Sequence, residues 1–415
     1  LREHELRQQI NTEMHLRRWP PLNAPAYLLQ NLRIVAPEER DAENELVGRW
    51  LDSSAPLDPT CRHVSGSLPG GTPFTWERHT EGSTITVFHD GAPEKLALDD
   101  TLRKLDSLPG KVLRATEIIL VASERDAHSI LPGLKFNDGE LVSSQIGGAM
   151  RFWSDFRLHE RRYGRVLVAT CGAEAGTISR IVQQLQELGN YRNLALLALP
   201  TVRRQWAELD GAEAELGRIA ERVSDPATND DDLLEGVSEL SLNIANLTNE
   251  VGYRLDATRA YAELVSERLE DLAPEPIGNH QSLTSFTRRR LMPAVRTCAA
   301  HRDRLLILSQ RAANLTALLR ARVETRIENQ NARLLGSMER TSQRQMRLQQ
   351  LVEGLSIFAL AYYGVGLLGY VLDAMDEHQG LPTHAMIKAW AVPVFMATIW
   401  LGIHAVKRRI LADDG

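Results

Sequence analysis

Two apolar segments near the C-terminus, residues 354–372 and 389–406, constrain this chain more than any other feature in it. At 1.5 Å rise per residue, about 18 to 19 residues of helix cover roughly 27 to 28 Å, close to a hydrocarbon core of about 30 Å. The expected ending is therefore a hairpin of two transmembrane helices. Arg340, Arg344 and Arg347 precede the first segment and Lys407, Arg408 and Arg409 follow the second, whereas the connection carries Asp373, Asp376 and Glu377. That bias places both termini in the cytoplasm. Trp390 and Trp400 stand near the two ends of the second segment, where interfacial anchors belong.

The rest of the chain reads as a large water-facing body. With 415 residues and a formal charge of −6, it is too long for the hairpin to dominate and too acidic for a dedicated nucleic-acid binder. Residues 1–18 are charged and lack the apolar stretch of a secretory signal. Cys61, Cys171 and Cys298 are far apart and belong to no CxxC or Cys/His cluster, so neither a disulfide framework nor a structural metal site is expected.

An α+β organisation follows from the change of periodicity along the chain. Residues 1–172 form an N-terminal α/β domain with a mixed sheet. Its candidate strands are residues 27–35, 72–77, 84–89, 112–122, 150–156 and 165–171, with helices over 37–51 and 96–108 and a hairpin around Glu81-Gly82. After Gly172 the strand signals stop. Residues 173–188, 191–223 and 231–272, and the chain from 282 onward, carry apolar residues at three- and four-residue spacing, as in Leu233, Leu240, Ile244 and Leu247. These define an acidic long-helix region, 173–281, a basic stalk helix, 282–353, and the hairpin with its short tail, 354–415. The stalk is expected to continue into the first span, some 80 residues or roughly 120 Å.

Charge divides between these helices. Residues 203–271 hold 17 Asp/Glu against 7 Arg, and residues 282–350 hold 14 Arg against 4 Asp/Glu, so the two regions are expected to lie against each other. Leu308, Ala312, Leu315 and Leu319, then Leu334, Met338, Met346 and Val352, give the stalk an apolar seam with Asn331 at its polar middle. Such a seam packs inside one chain or between copies in a coiled-coil homo-oligomer.

No catalytic signature is present, and the chain is not expected to be an enzyme or to hold a cofactor. His159-Glu160-Arg161-Arg162-Tyr163 begins like a zinc-protease motif but has Tyr where the second histidine must lie. Gly172-Ala173-Glu174-Ala175-Gly176-Thr177 lacks the Gly-Lys-Ser/Thr ending of a phosphate loop. Glu13-Met14-His15 is a polar cluster beside Trp19-Pro20-Pro21, read as a terminus docked on the domain.

The more suggestive residues lie in the first apolar segment: Tyr362, Tyr363, Gly364, Gly366, Gly369 and Tyr370. Tyr362, Gly366 and Gly369 share one face, which serves either close helix packing or a pore. Glu353 at the cytoplasmic entry, and Asp373, Asp376 and Glu377 at the far exit, would form acidic rings in a symmetric oligomer and attract cations.

Three blocks carry a family resemblance: Ile10 through His15 (INTEMH), Leu188 through Pro200 (LGNYRNLALLALP), and Arg289 through Cys298 (RRLMPAVRTC), continuing through Glu328-Asn329-Gln330-Asn331 to Leu348–Ser356 and Tyr362–Leu367. The chain resembles the bacterial family called domain of unknown function 3422 over nearly its whole length. The resemblance implies a membrane-anchored bacterial protein without an assigned biochemical role, and with it the bacterial inner membrane as the expected location. In architecture the chain also resembles the CorA-type divalent-cation channels, which are pentamers with the stalks around the axis. It departs from them where they carry Gly-Met-Asn; the nearest string here is Tyr363-Gly364-Val365-Gly366. Two functions follow as expectations: a membrane-tethered oligomeric scaffold or sensor, or a CorA-like channel for cations or another small solute. The expected partners are membrane lipid, further copies of the chain, and a cation or a protein.

Overall fold

The structure, a computed structural model, describes residues 3–7, 10–11, 19–51, 56–92, 98–225, 227–374 and 383–413. Glu13, Met14, His15, Asp376 and Glu377 lie outside them, and so does the side chain of Asp373. The chain divides into two compact units, Leu1–Thr316 and Ala317–Gly415.

The first unit is built on one nine-stranded mixed sheet, in the order β2-β3-β4-β1-β5-β8-β7-β6-β9. The strands are β1 (Ala26–Ile34), β2 (His63–Ser67), β3 (Pro73–Arg78), β4 (Gly82–Asp90), β5 (Lys111–Val121), β6 (Val142–Ile146), β7 (Met150–Ser154), β8 (Gly164–Ala169) and β9 (Glu275–Pro276). Among the described strands only β5 and β8 pair in parallel, and the other neighbours in the sheet are antiparallel. The six strands anticipated from the sequence are all present, and Glu81-Gly82 lies at the turn joining β3 to β4. Three others are not legible in the pattern: β2 and β6 are short and polar, and β9, two residues long, carries a strand into the otherwise helical half.

Both faces of the sheet are covered, which explains why its strands read as near-continuous apolar runs. Successive residues alternate between two cores. Leu28, Ile118, Leu120, Phe152, Val166 and Val168 point to one; Tyr27, Leu29, Ile119, Trp153, Leu167 and Ala169 point to the other. The second core is closed by α1 (Arg40–Trp50), α2 (Leu98–Asp106) and α3 (Glu124–Ile130), through Val47, Trp50, Leu105 and Ala127. The first is closed by α4 (Ala175–Ala195), α6 (Asp230–Leu272) and the start of α7 (Leu283–Ala374), through Ile181, Leu185, Val265, Leu269, Leu283 and Phe286.

Polar groups inside this unit are used at element ends. Arg33, buried at a bulge between β1 and β5, donates to the carbonyls of Leu105, Leu108, Pro109 and Gly110 at distances of 2.7–3.0 Å. Its cation thus caps the carbonyl end of α2, where a helix dipole favours positive charge. Ser144 of β6 accepts from the Leu283 N–H at 2.9 Å, satisfying a donor at the start of α7. Ser123 and Asp126 form a reciprocal capping box that starts α3, a signal present in the sequence as Ser-x-x-Asp.

Beyond the sheet, α5 (Leu199–Val223) packs along α6. Leu233, Val237, Leu240, Ile244, Leu247 and Val251 are buried at alternating four- and three-residue steps, so one stripe of α6 stays covered over its length. A buried polar chain links the helices. His301 of α7 lies 3.1 Å from Gln205 Oε1, and Gln205 Nε2 donates to Glu250 at 2.7 Å. Burial first, and then the Arg304 charge, lowers the His301 pKa, which favours a neutral imidazole.

The pairing of acidic with basic helices anticipated from composition is made by Arg302 with Asp256 at 3.1 Å, and by Arg304 with Asp210 and Glu213, each at 2.7 Å. These pairs are partly solvated, where each contributes about 0 to 1 kcal/mol, so burial of Leu305, Leu308 and Ala312 dominates the docking of this part of α7.

In the second unit α7 continues and α8 (Thr383–Asp413) follows. One helix of the described residues is long and apolar enough to cross a membrane, namely α7, within Leu283–Val371; α8 carries a shorter apolar stretch, Ala389–Gly402. Two spans were anticipated and one meets the length criterion.

Candidate functional site

A cavity of about 460 Å³ opens in the first unit beside the β5–β8 parallel pair, and its chemistry is cationic. Arg114 of β5, Arg165 of β8, Arg192 of α4 and Arg161 and Arg162 of the β7–β8 connection all line it. Among the described residues that line it, the exposed Asp106 is the only carboxylate, and Phe156, Leu158, Val112 and Val166 give it an apolar side. The volume lies in the range of small-molecule sites, though the lining is more polar than is usual for them.

Arg114 is held without an acid. Its guanidinium donates to Gln30 Oε1 at 3.2 Å, Asn190 Oδ1 at 2.9 Å and Gln186 Oε1 at 2.8 Å. It lies against α4 at Gly189, where a Cβ would come within 2.6 Å of the guanidinium, so glycine is required for this approach. Burial, and then the charge of Arg192, push Arg114 down to about 9; burial alone pushes Arg192 down to about 10. Both stay cationic at neutral pH. Arg192 stacks on the Phe156 ring at 4.2 Å, over a Phe156–Phe286 pair whose centroids are 4.5 Å apart. Arg192 Nη1 and Gln186 Nε2 are both buried and have no hydrogen-bond partner.

The other side of the cavity is a strained loop. Phe156, Arg161 and Arg162 have φ of 53°, 61° and 63°, the left-handed region that costs a side chain of this size on the order of 1 to 3 kcal/mol each. Asp155 holds the loop in place: it accepts from the N–H of Asn137 and of Arg157, each at 3.1 Å, and lies 2.9 Å from His159 Nε2. Burial opposes its ionisation, but those hydrogen bonds outweigh it and hold the carboxyl below the usual range. The string that begins like a zinc-protease motif is therefore a loop anchor, with His159 on Asp155 and with Arg161 and Arg162 among the residues that line the cavity. Arg165 differs from the other four arginines, since Glu117 neutralises it at 2.6 Å.

None of these residues was legible as a site in the sequence, because they come from β5, β7–β8 and α4 and meet only in the fold. A partial signal existed: the block Leu188–Pro200, on which the family resemblance rests, supplies Gly189, Asn190, Arg192 and Asn193.

The residues singled out in the first apolar segment lie in the second unit. Gly364 faces α8, where a Cβ would sit 2.7 Å from the Phe395 ring. Gly366 is open, with nothing within 4 Å of a Cβ. Tyr362, Tyr363 and Tyr370 are exposed, Gly369 is half-buried, and Glu353 accepts weakly from Gln349 at 3.5 Å. The structure thus brings Gly364 to the neighbouring helix and leaves Tyr362 and Gly366 outward. Gly364→Leu should disturb the α7–α8 contact and lower stability by about 1 to 3 kcal/mol, an overpacking cost. Gly366→Leu should be neutral in a single chain. Thermal unfolding of both variants in detergent checks this; equal effects would contradict it.

A mixed sheet covered on both faces, with a helical region packed on it, makes this an α+β protein. The chain belongs to the family described as Protein of unknown function (DUF3422), whose sequence model matches residues 2–410. Comparison with curated proteins finds no match.

Proposed function

We propose that the protein is a non-enzymatic, membrane-anchored oligomeric scaffold or sensor of the bacterial inner membrane, with its α+β body in the cytoplasm and both termini on that side. The observation that carries this reading is the apolar window of α7, of which 6% is buried. Leu355, Phe358, Leu360 and Leu367 in that part of the chain are all more than half exposed, an arrangement that water disfavours and a bilayer accepts. The second span is α8, with the exposed Trp390 and Trp400 at its interfaces.

Self-association is supported by the seam of α7, which changes character along its length. Leu308, Ala312 and Leu319 are buried, whereas Leu334, Met338, Met346 and Val352 are each 58–67% exposed in the single chain. An apolar row of that kind is covered when copies of the helix pack together. A CorA-like channel is the second reading, favoured by the outward Tyr362 and Gly366, which in an oligomer would face either the axis or a neighbour. Mass measurement in detergent is expected to give a multiple of 46.4 kDa. A strictly monomeric, folded particle would overturn the oligomer and the channel together.

A further inference from the structure

We propose that the arginine-lined cavity binds a small organic anion, through phosphate or carboxylate groups held by Arg192, Arg161 and Arg162 over the buried charge of Arg114. The site is independent of the membrane reading, since every residue in it lies in the first unit.

The argument rests on a missing counter-charge. Unpaired charges removed from water are costly, and proteins ordinarily meet that cost with a carboxylate. Here the nearby carboxylates are committed elsewhere. Glu117 is taken by Arg165 and by Tyr27 at 2.6 Å, Glu160, next to Arg161, by Lys135 at 3.0 Å, Glu187 by Arg268 at 2.7 Å, and Asp155 by its own loop. Asp106 is exposed at the rim. Arg114 is surrounded by neutral amides, and the neighbouring Arg192 adds a second positive charge rather than compensating the first. A water molecule fits a void of about 10 Å³ that shares Arg114, Arg192 and Gln186, and it would complete hydrogen bonds there. It would leave the charge unanswered.

The loop carries the second, separate observation. Two consecutive arginines in left-handed backbone are held there by Asp155 and His159, and both residues line the cavity. Strain of this kind persists where it positions a functional group. Planar guanidinium forks match carboxylate and phosphate oxygens, and the Phe156, Leu158 and Val112 wall suits the carbon frame of an organic anion rather than a bare ion.

The test uses the full chain in neutral detergent at low salt, with citrate and glycerol 3-phosphate as probes and glycerol as the uncharged control. At least one anion is expected to raise the unfolding temperature by several degrees and to bind in a calorimetric titration, and glycerol is expected to do neither. Arg161→Gly/Arg162→Gly relaxes the backbone while removing both charges, so its own stability should be unchanged or raised as its affinity falls at least tenfold. Arg192→Met should lose binding to a similar degree. Repeating the titration with the chain in phosphatidylglycerol or phosphatidylcholine nanodiscs separates the sources. Competition by the former alone assigns a lipid headgroup, and unchanged binding assigns a soluble metabolite. No binding of either anion by the wild-type chain, or equal binding by the double glycine variant and by Arg192→Met, would overturn the proposal.

Discussion

Replacing Glu43 with alanine should destabilise the first unit by about 3 to 5 kcal/mol, the cost of breaking a buried ion pair from one side. The Glu43 side chain is fully buried on α1 and gathers three donors from the sheet. Trp76 Nε1 and Arg78 Nη2 each approach to 3.1 Å, and the Ser83 hydroxyl completes the set. Without the carboxylate, Trp76 and Ser83 are left as buried donors, and Arg78 keeps Asn44 Oδ1 at 2.6 Å and its place over the Trp76 ring. Because Arg78 retains 11% exposure, the lower end of the range is expected. Glu43→Gln preserves one acceptor and should cost less than half as much. Denaturant unfolding of the detergent-solubilised chain, followed by tryptophan fluorescence, measures both; a loss under about 1 kcal/mol for Glu43→Ala would show that the network relaxes around the gap.

Legibility in the sequence followed the range of the interaction. Strands such as β1 and β5 declared themselves through apolar runs, Leu-rich in β1 and rich in β-branched residues in β5, that are buried over most of their length. The long helices were equally plain, because the stripe from Leu233 to Val251 has a period that no strand shares. What stayed hidden depended on tertiary contact. β6 is Val-Ser-Ser-Gln-Ile, and its buried serines make sense only once Ser144 is seen accepting from the Leu283 N–H, 139 positions away. The cavity is the same case on a larger scale. In the sequence Arg192 in a helix and Arg114 in a strand look like ordinary solvated charges, whereas in the fold each lacks an acid partner, a fact of the fold and not of composition. Opposite charge on the long helices was legible as a bulk property and correctly placed Arg302 and Arg304 against acids, though not which ones.

Placing arginine in both apolar helices should release the protein from the membrane. An arginine near the centre of a spanning helix costs about 2.5 to 3.5 kcal/mol on insertion scales. Leu360→Arg/Leu367→Arg in α7 and Val394→Arg/Leu401→Arg in α8 all alter exposed positions, so the contact of Gly364 with Phe395 is kept and folding of the hairpin itself is not the variable. Either pair alone is expected to leave part of the chain resistant to alkaline carbonate extraction, since the remaining apolar helix still holds it. Both pairs together should move nearly all of it to the soluble fraction. Leu306→Arg is the control: Leu306 is 57% exposed on the same helix, within the first unit, and a charge there should change nothing. If the quadruple variant remains in the carbonate-resistant pellet, α7 and α8 are not the anchor, and the exposed leucines of residues 355–367 must be covered by protein instead. That outcome would also enlarge the interface expected between copies, because the seam at Leu334, Met338, Met346 and Val352 lies on the same helix and its covering would then extend without interruption through Leu367.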